Sequence, residues 1–183
     1  MEQKSTFWRT AAMYALYLGI VLTLYSVVLY VTGQMQNKYL PMISYVFMVI
    51  GIFMAQKNYR DNELDGSISY GQAVGFGTAV MLFVGIISAL YALILFKVDP
   101  SLIDQMIITQ EEDMLKKGMT EEQIEASMAF TSKIMTPVGL SIMTFLGSIF
   151  MGTIISLVTS IFVKRQPNVD AFDEAMEDVK TVE

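Results

Sequence analysis

Three groups of residues in this chain have types and spacings that could carry chemistry. The first is the glycine-rich stretch GSISYGQAVGFG, residues 66–77. Glycine turns ahead of a helix can cradle a phosphate with backbone N–H groups. This one lacks the Lys-Ser/Thr ending of a P-loop and has no strand pattern before it, and its neighbours Asp61, Glu63 and Asp65 would repel phosphate. The second group is acidic: Glu111, Glu112, Asp113, Glu121, Glu122 and Glu125. A divalent cation needs a tighter pattern such as an EF-hand loop, which is missing, so these acids read as a solvated helix face and as first-turn residues. The third group is Gln72 with the hydroxyls of Tyr14, Tyr17, Tyr25, Tyr45 and Tyr91, which could line a polar path between helices.

The chain has no histidine and no cysteine. A thiol nucleophile, a disulfide, a His/Cys metal site and a histidine acid or base are therefore excluded. The expectation is a non-enzymatic protein with no catalytic, metal or cofactor-binding residue. Its net charge of −6 comes mostly from connecting segments and the C-terminal end, which argues against nucleic acid as a partner.

The elements that would position these groups are long apolar runs. Of 183 residues, 54% are hydrophobic and 16% charged, against about 25% charged in ordinary soluble domains. Four intervals carry no charge: residues 10–37, 39–56, 66–96 and 134–163. About 20 apolar residues cross a bilayer as a helix, with roughly 17 as the lower limit. Spans are expected at about 10–32, 40–56, 68–96 and 137–163, the second being the shortest, with Pro41 tolerated in its first turn. A soluble helix would confine its apolar residues to one face, and VMLFVGIISALYALILF offers no polar face. The fold expected is all-α, a transmembrane four-helix bundle in the lipid bilayer, with residues 1–167 as the membrane domain and 168–183 as an acidic cytoplasmic tail.

Lysine and arginine near the span ends give the orientation. Lys4, Arg9, Lys57, Arg60, Lys164 and Arg165 fall on the side of the N-terminus; Lys38, Lys97 and Lys133 fall on the other, with Lys116 and Lys117 further out. Cationic residues are retained in the cytoplasm, so both termini are expected there.

Small residues form stripes along three spans. In the third, Gly71, Thr78, Gly85 and Ala92 recur every seventh residue, with Gly75 and Ala89 beside them. The fourth carries Thr144, Ser148, Gly152, Ser156 and Ser160, and the first Ala11, Ala15, Gly19 and Thr23. Lipid tails compete with apolar side chains, so membrane helices gain from close backbone approach, which small residues permit. Gly71, Gly75, Gly85, Ser148, Gly152 and Ser156 are therefore the expected helix-packing residues, within the bundle or in a homo-oligomer. Gly75→Leu and Gly152→Leu are expected to disrupt that assembly.

Between the third and fourth spans, residues 99–133 read as a helical hairpin outside the membrane. Asp99 as N-cap with Pro100 as the first helical residue opens it, Gly118 after two lysines stops its first helix, and Thr120 with Gln123 forms a capping box for the second. Leu102, Ile103, Met106, Ile107, Met114 and Leu115 fall mainly on one side. In the tail, Val169, Phe172, Met176 and Val179 have heptad-like spacing, which suits either an amphipathic helix that docks on a partner or a frayed acidic end.

Two segments resemble a known family. DGSISYGQAVGFG is similar to its Gly-x-Ile-Ser-Tyr/Phe-Gly-Gln-Ala segment, and KKGMTEEQIEASM followed by MTP resembles its connecting hairpin. That family consists of small bacterial four-span membrane proteins grouped as a domain of unknown function. The resemblance runs from the first span to about Arg165 and implies a four-span fold integral to the bacterial inner (cytoplasmic) membrane. It carries no activity with it.

Two functions remain open at this level. One is a non-enzymatic membrane component that packs with itself or with a membrane protein partner through its small-residue seams. The other is a small transporter or channel subunit with a polar path between helices. A carrier should show a continuous cavity lined by Tyr, Ser, Thr and Gln72, whereas a packing protein should have a filled bundle and an exposed small-residue stripe.

Overall fold

The computed structural model describes residues 2–37 and 39–165. Six helices follow in order: α1 (Glu2–Val31), α2 (Ile43–Glu63), α3 (Tyr70–Val98), α4 (Ser101–Lys116), α5 (Glu121–Ile134) and α6 (Pro137–Val163). The 3-10 turn Leu40–Met42, with Pro41 in it, leads into α2. The heptad-like residues of the tail lie outside the described residues.

Four stretches are long and apolar enough to cross a membrane: Thr6–Val31, Leu40–Glu63, Tyr70–Val98 and Pro137–Val163. Their packing is that of a membrane protein. Large apolar side chains point outward, among them Leu24, Ile94 and Phe150 at 60%, 62% and 67% exposure. The interior holds small and polar ones: Ala11, Ala15, Gln56, Ser156 and Ser160 are all fully buried. Water would penalise that distribution, and lipid tails favour it.

α3 lies at the centre of the bundle, packed on α1, α2 and α6, while α2 also packs on α1 and α6. α1 and α3 run parallel, with Phe7 beside Phe76, Gly19 beside Ile87 and Tyr30 beside Asp99. α2 and α6 also run parallel, tied through Gln56 to Ser156 and Arg60 to Val163. α3 and α6 are antiparallel in one register, from Gly85 against Ser148 through Gly77 against Ser156 to a backbone bridge between Ile68 and Arg165. The bundle thus has a bridge end, carrying the start of α1 and the end of α6, and a hairpin end, carrying α4 and α5.

Local chemistry sets the boundaries. Asp65 and Gly66 turn the chain with φ of 50° and 80°, and Ser69 then caps α3, its hydroxyl accepting from the Gln72 amide while the Gln72 side chain accepts from the Ser69 amide. Thr120 and Gln123 form the same reciprocal pair at α5. α4 ends at Gly118, φ 77°, where Met119 N–H reaches Met114 C=O and Gly118 N–H reaches Leu115 C=O. Asp99 differs from its expected capping role. Pro100 occupies the cap position of α4, and the Asp99 carboxylate accepts instead from the hydroxyls of Ser101 at 2.5 Å and Tyr30 at 3.1 Å. The Ser101 hydroxyl first, then Tyr30 and the Ser101 amide, hold that carboxyl below its usual pKa against the opposing effect of burial.

α2 also runs further than its apolar segment. It continues through Lys57 and Arg60 to Glu63, because its inward face stays useful: Tyr59 stacks on Phe76 with centroids 4.0 Å apart, and Arg60 donates to the Val163 carbonyl at 2.9 Å. At the opposite end, Leu102 and Ile103 of α4 bury against Ala92, Leu95 and Phe96 of α3. Met106 and Ile107 pack beside them, while Leu115 is 54% exposed.

Candidate functional site

The α3–α6 seam brings together four of the six residues expected to pack helices. A methyl group on Gly152 would collide with the Met81 side chain, and one on Gly85 would crowd Phe145 and Ser148 at 3.2–3.3 Å. Ser156 is fully buried and donates to the Val74 carbonyl. Gly71 and Gly75 lie elsewhere. Both are exposed, and a Cβ at either would meet nothing within 4 Å. In the seam their place is taken by Gly77, where a Cβ would run into Ser156 Oγ and come within 2.6 Å of Gln56 Nε2. Two positions turn an α-helix by about 200°, so Gly75 and Gly77 look in opposite directions.

Gln56 is the polar centre of the bridge half. Its Nε2 lies 3.0 Å from the Ala73 carbonyl, 2.8 Å from Ser156 Oγ and 3.0 Å from Ser160 Oγ, so two N–H bonds serve three acceptors on α3 and α6. Its Oε1 is buried and has no hydrogen-bond partner among the described residues. Around this node the bundle is filled. Phe7, Tyr59 and Phe76 form an aromatic triangle, and Ile52, Phe76 and Val80 are fully buried.

The hairpin half is different, because it holds a partly open cavity of about 410 Å³ between α1, α2, α3 and α6. Eight hydroxyl residues line it: Thr23 and Ser26, Ser44 and Tyr45, Ser88 and Tyr91, Thr144 and Ser148. Among the described residues, no charged side chain lines it. Thr144 and Ser148 donate to carbonyls of their own helix, Leu140 at 2.8 Å and Thr144 at 2.7 Å. Thr23 Oγ1 and Tyr91 OH are buried and have no hydrogen-bond partner among the described residues. Such groups are rare in folded proteins, because burying a hydroxyl unpaired costs roughly 1–3 kcal/mol. Met48, Met81 and Met151 close the cavity toward the bridge half.

The polar path expected from sequence is therefore gathered only in part. Tyr45 and Tyr91 reach the cavity. Tyr14 and Tyr17 border a separate apolar groove of about 280 Å³ with Leu18, Phe47 and Met54, and Tyr25 donates to the Leu40 carbonyl at 2.7 Å. Gln72 belongs to the cap of α3, and the bundle's internal carboxamide is Gln56. Sequence did hold a signal for Gln56. It continues the buried face of Met48, Ile52 and Tyr59, and it faces serines four residues apart on α6. The carboxylates of α4 and α5 are exposed, and among the described residues no three acidic side chains group as a metal site.

Residues 13–165 match the family described as "Protein of unknown function (DUF4199)", and the chain belongs to it. No curated protein and no solved structure matches the chain.

Proposed function

We propose that this DUF4199 protein is a non-enzymatic component of the bacterial cytoplasmic membrane that receives a small uncharged molecule in its hairpin-half cavity. The observation that carries this reading is the pair of buried, unpartnered hydroxyls, Thr23 and Tyr91, in a space bounded by all four spans. Sites of about 300–1,000 Å³ with few placed polar groups are typical of small-molecule binding. Among the described residues, the lining offers no carboxylate, amine or imidazole to move a proton, which supports binding or passage over catalysis. Arg9, Lys57, Arg60, Lys164 and Arg165 at the bridge end support cytoplasmic termini and a hairpin outside.

Association with a second copy or a membrane protein partner is a second reading. It is supported by the exposed, unobstructed Gly71 and Gly75, since the other small-residue stripes are occupied inside the bundle.

The native chain is free of cysteine, so single cysteines test the cavity directly. Ser88→Cys, in the cavity, should react with N-ethylmaleimide in folded protein in membranes, and Val80→Cys, in the filled half, should not. Equal protection of both would overturn the binding reading. In whole cells, a membrane-impermeant maleimide should label Lys117→Cys from outside and reach Asn62→Cys only after lysis; the reverse would invert the orientation.

A further inference from the structure

We infer that the cavity takes an uncharged amphiphile, an apolar chain bearing a hydroxyl or carbonyl oxygen, which enters sideways from the bilayer between α2 and α6. This rests on reading the cavity as a binding site, and three observations extend that reading.

The first is the shape of the α2–α6 seam. In the bridge half it is tied by Gln56 to Ser156 and Ser160 and by Arg60 to Val163. In the hairpin half, the parallel register of the two helices sets Tyr45 level with Gly147. Both line the cavity and both are exposed, Tyr45 at 45%, and a Cβ on Gly147 would meet nothing within 4 Å. The other outer seams are shut at comparable levels, α1–α3 by Ile87 against Gly19, α3–α6 by Phe145 against Gly85, and α1–α2 by Leu18 against Gly51 and Tyr25 against Phe47. The cavity therefore has a side window on α2 and α6.

The second is the depth of that window. Gly147 lies ten residues into α6, about 15 Å along the axis, and the 27-residue helix of about 40 Å overspans a hydrocarbon layer of roughly 30 Å. The window thus faces acyl chains in the leaflet on the hairpin side. Ions and strongly hydrated solutes are scarce there, and lipophiles are concentrated.

The third is the lining. Met35, Met48, Met81 and Met151 supply adaptable apolar walls. Across from the window, Thr23 and Tyr91 sit at one level on the parallel helices α1 and α3 with their hydroxyls unpaired. One hydroxyl or carbonyl oxygen can accept from both donors. A carboxylate or ammonium head would lose its hydration with no counter-charge in the lining, which disfavours charged amphiphiles.

The test uses the full chain in lipid nanodiscs, with hexadecanol carrying a mid-chain diazirine as the photoprobe and the matching hexadecanoate at mildly alkaline pH as its control. Crosslinked peptides are mapped by mass spectrometry. The alcohol should mark peptides containing Met48, Met81 or Met151, and the carboxylate should not. Gly147→Trp, which fills the window from open space, should abolish the cavity crosslinks. The near-isosteric pair Thr23→Val and Tyr91→Phe should weaken labelling about tenfold, the worth of one lost hydrogen bond. Equal labelling by both probes, or labelling unchanged in all these variants, would overturn the inference. If N-ethylmaleimide reaches Ser88→Cys while hexadecanol leaves the cavity unmarked, the lateral amphiphile fails and the binding reading stands. If neither reagent reaches the cavity, both fail.

Discussion

The two halves of this bundle surround their buried polar groups differently. In the bridge half, Ser156, Ser160 and the Ala73 carbonyl converge on Gln56, and the space around them is filled by Ile52, Phe76 and Val80. In the hairpin half, hydroxyls from four helices surround open space, and those of Thr23 and Tyr91 find no partner among the described residues. Hydrocarbon offers an unpaired group no partner, and among the described residues one such atom, Gln56 Oε1, lies in the packed half while two, Thr23 Oγ1 and Tyr91 OH, lie beside open space. A protein that holds its shape at one end can leave the other end ready for a guest.

The largest test of this contrast is Gly77→Leu. A Cβ there would strike Ser156 and Gln56, both fully buried. Overpacking of this kind costs about 1–3 kcal/mol or more, and the α3–α6 seam should fail to close. Thermal unfolding in detergent should show a large drop or a loss of folded protein. Gly75→Leu, facing open space two residues earlier, should leave the melting point of the monomer unchanged, so any loss of oligomeric mass in that variant would belong to a partner surface. A Gly77→Leu protein as stable as wild type would end the case for a tight bridge half.

Gln56→Leu should have the next effect, a destabilisation of about 1–3 kcal/mol as the Ala73 carbonyl and two serines lose their shared donor. Its unpaired Oε1 is removed at the same time, which holds the loss below that of Gly77→Leu. An unchanged melting point would show that the carboxamide does not tie α2 to α3 and α6.

Tyr91→Phe should act with the opposite sign and the smallest size. Removing a buried hydroxyl that bonds to nothing should stabilise the empty protein by about 1 kcal/mol, raising its melting point by a few degrees. A lower melting point would mean that the hydroxyl is satisfied, and the two halves would then differ less than described.

Much of the architecture is legible in the chain because charges and caps mark it. Charge-free runs locate four spans, and Gly118 and the Thr120–Gln123 pair mark helix ends by local chemistry alone, while Ser67 and Ser69 are equal candidates for the α3 cap until the structure selects Ser69. Faces are harder to read. Gly75 and Gly77 are both plausible seam residues by type, and only the position of α6 decides between them. Gln56 reads as the polar end of an apolar run until α3 and α6 are placed against it. The cavity draws its hydroxyls from four segments that no local pattern connects, so Tyr91 can be suspected from sequence and Thr23 reads as packing. Spacing shows which residues share a helix face; the tertiary arrangement alone shows what that face meets.

The antiparallel register of α3 and α6 bears on how the chain is built. Because that register carries through to the hairpin end, Val98 and Pro137 finish close to one level, and neighbouring antiparallel helices usually need a connection of about 2–8 residues. The chain inserts α4 and α5 there instead, two helices that contribute Leu102, Ile103 and Ile124 to the buried interior. The hairpin is thus an insertion between two helix ends that already stand at one level, seated on the bundle where Leu102 and Ile103 meet Ala92, Leu95 and Phe96.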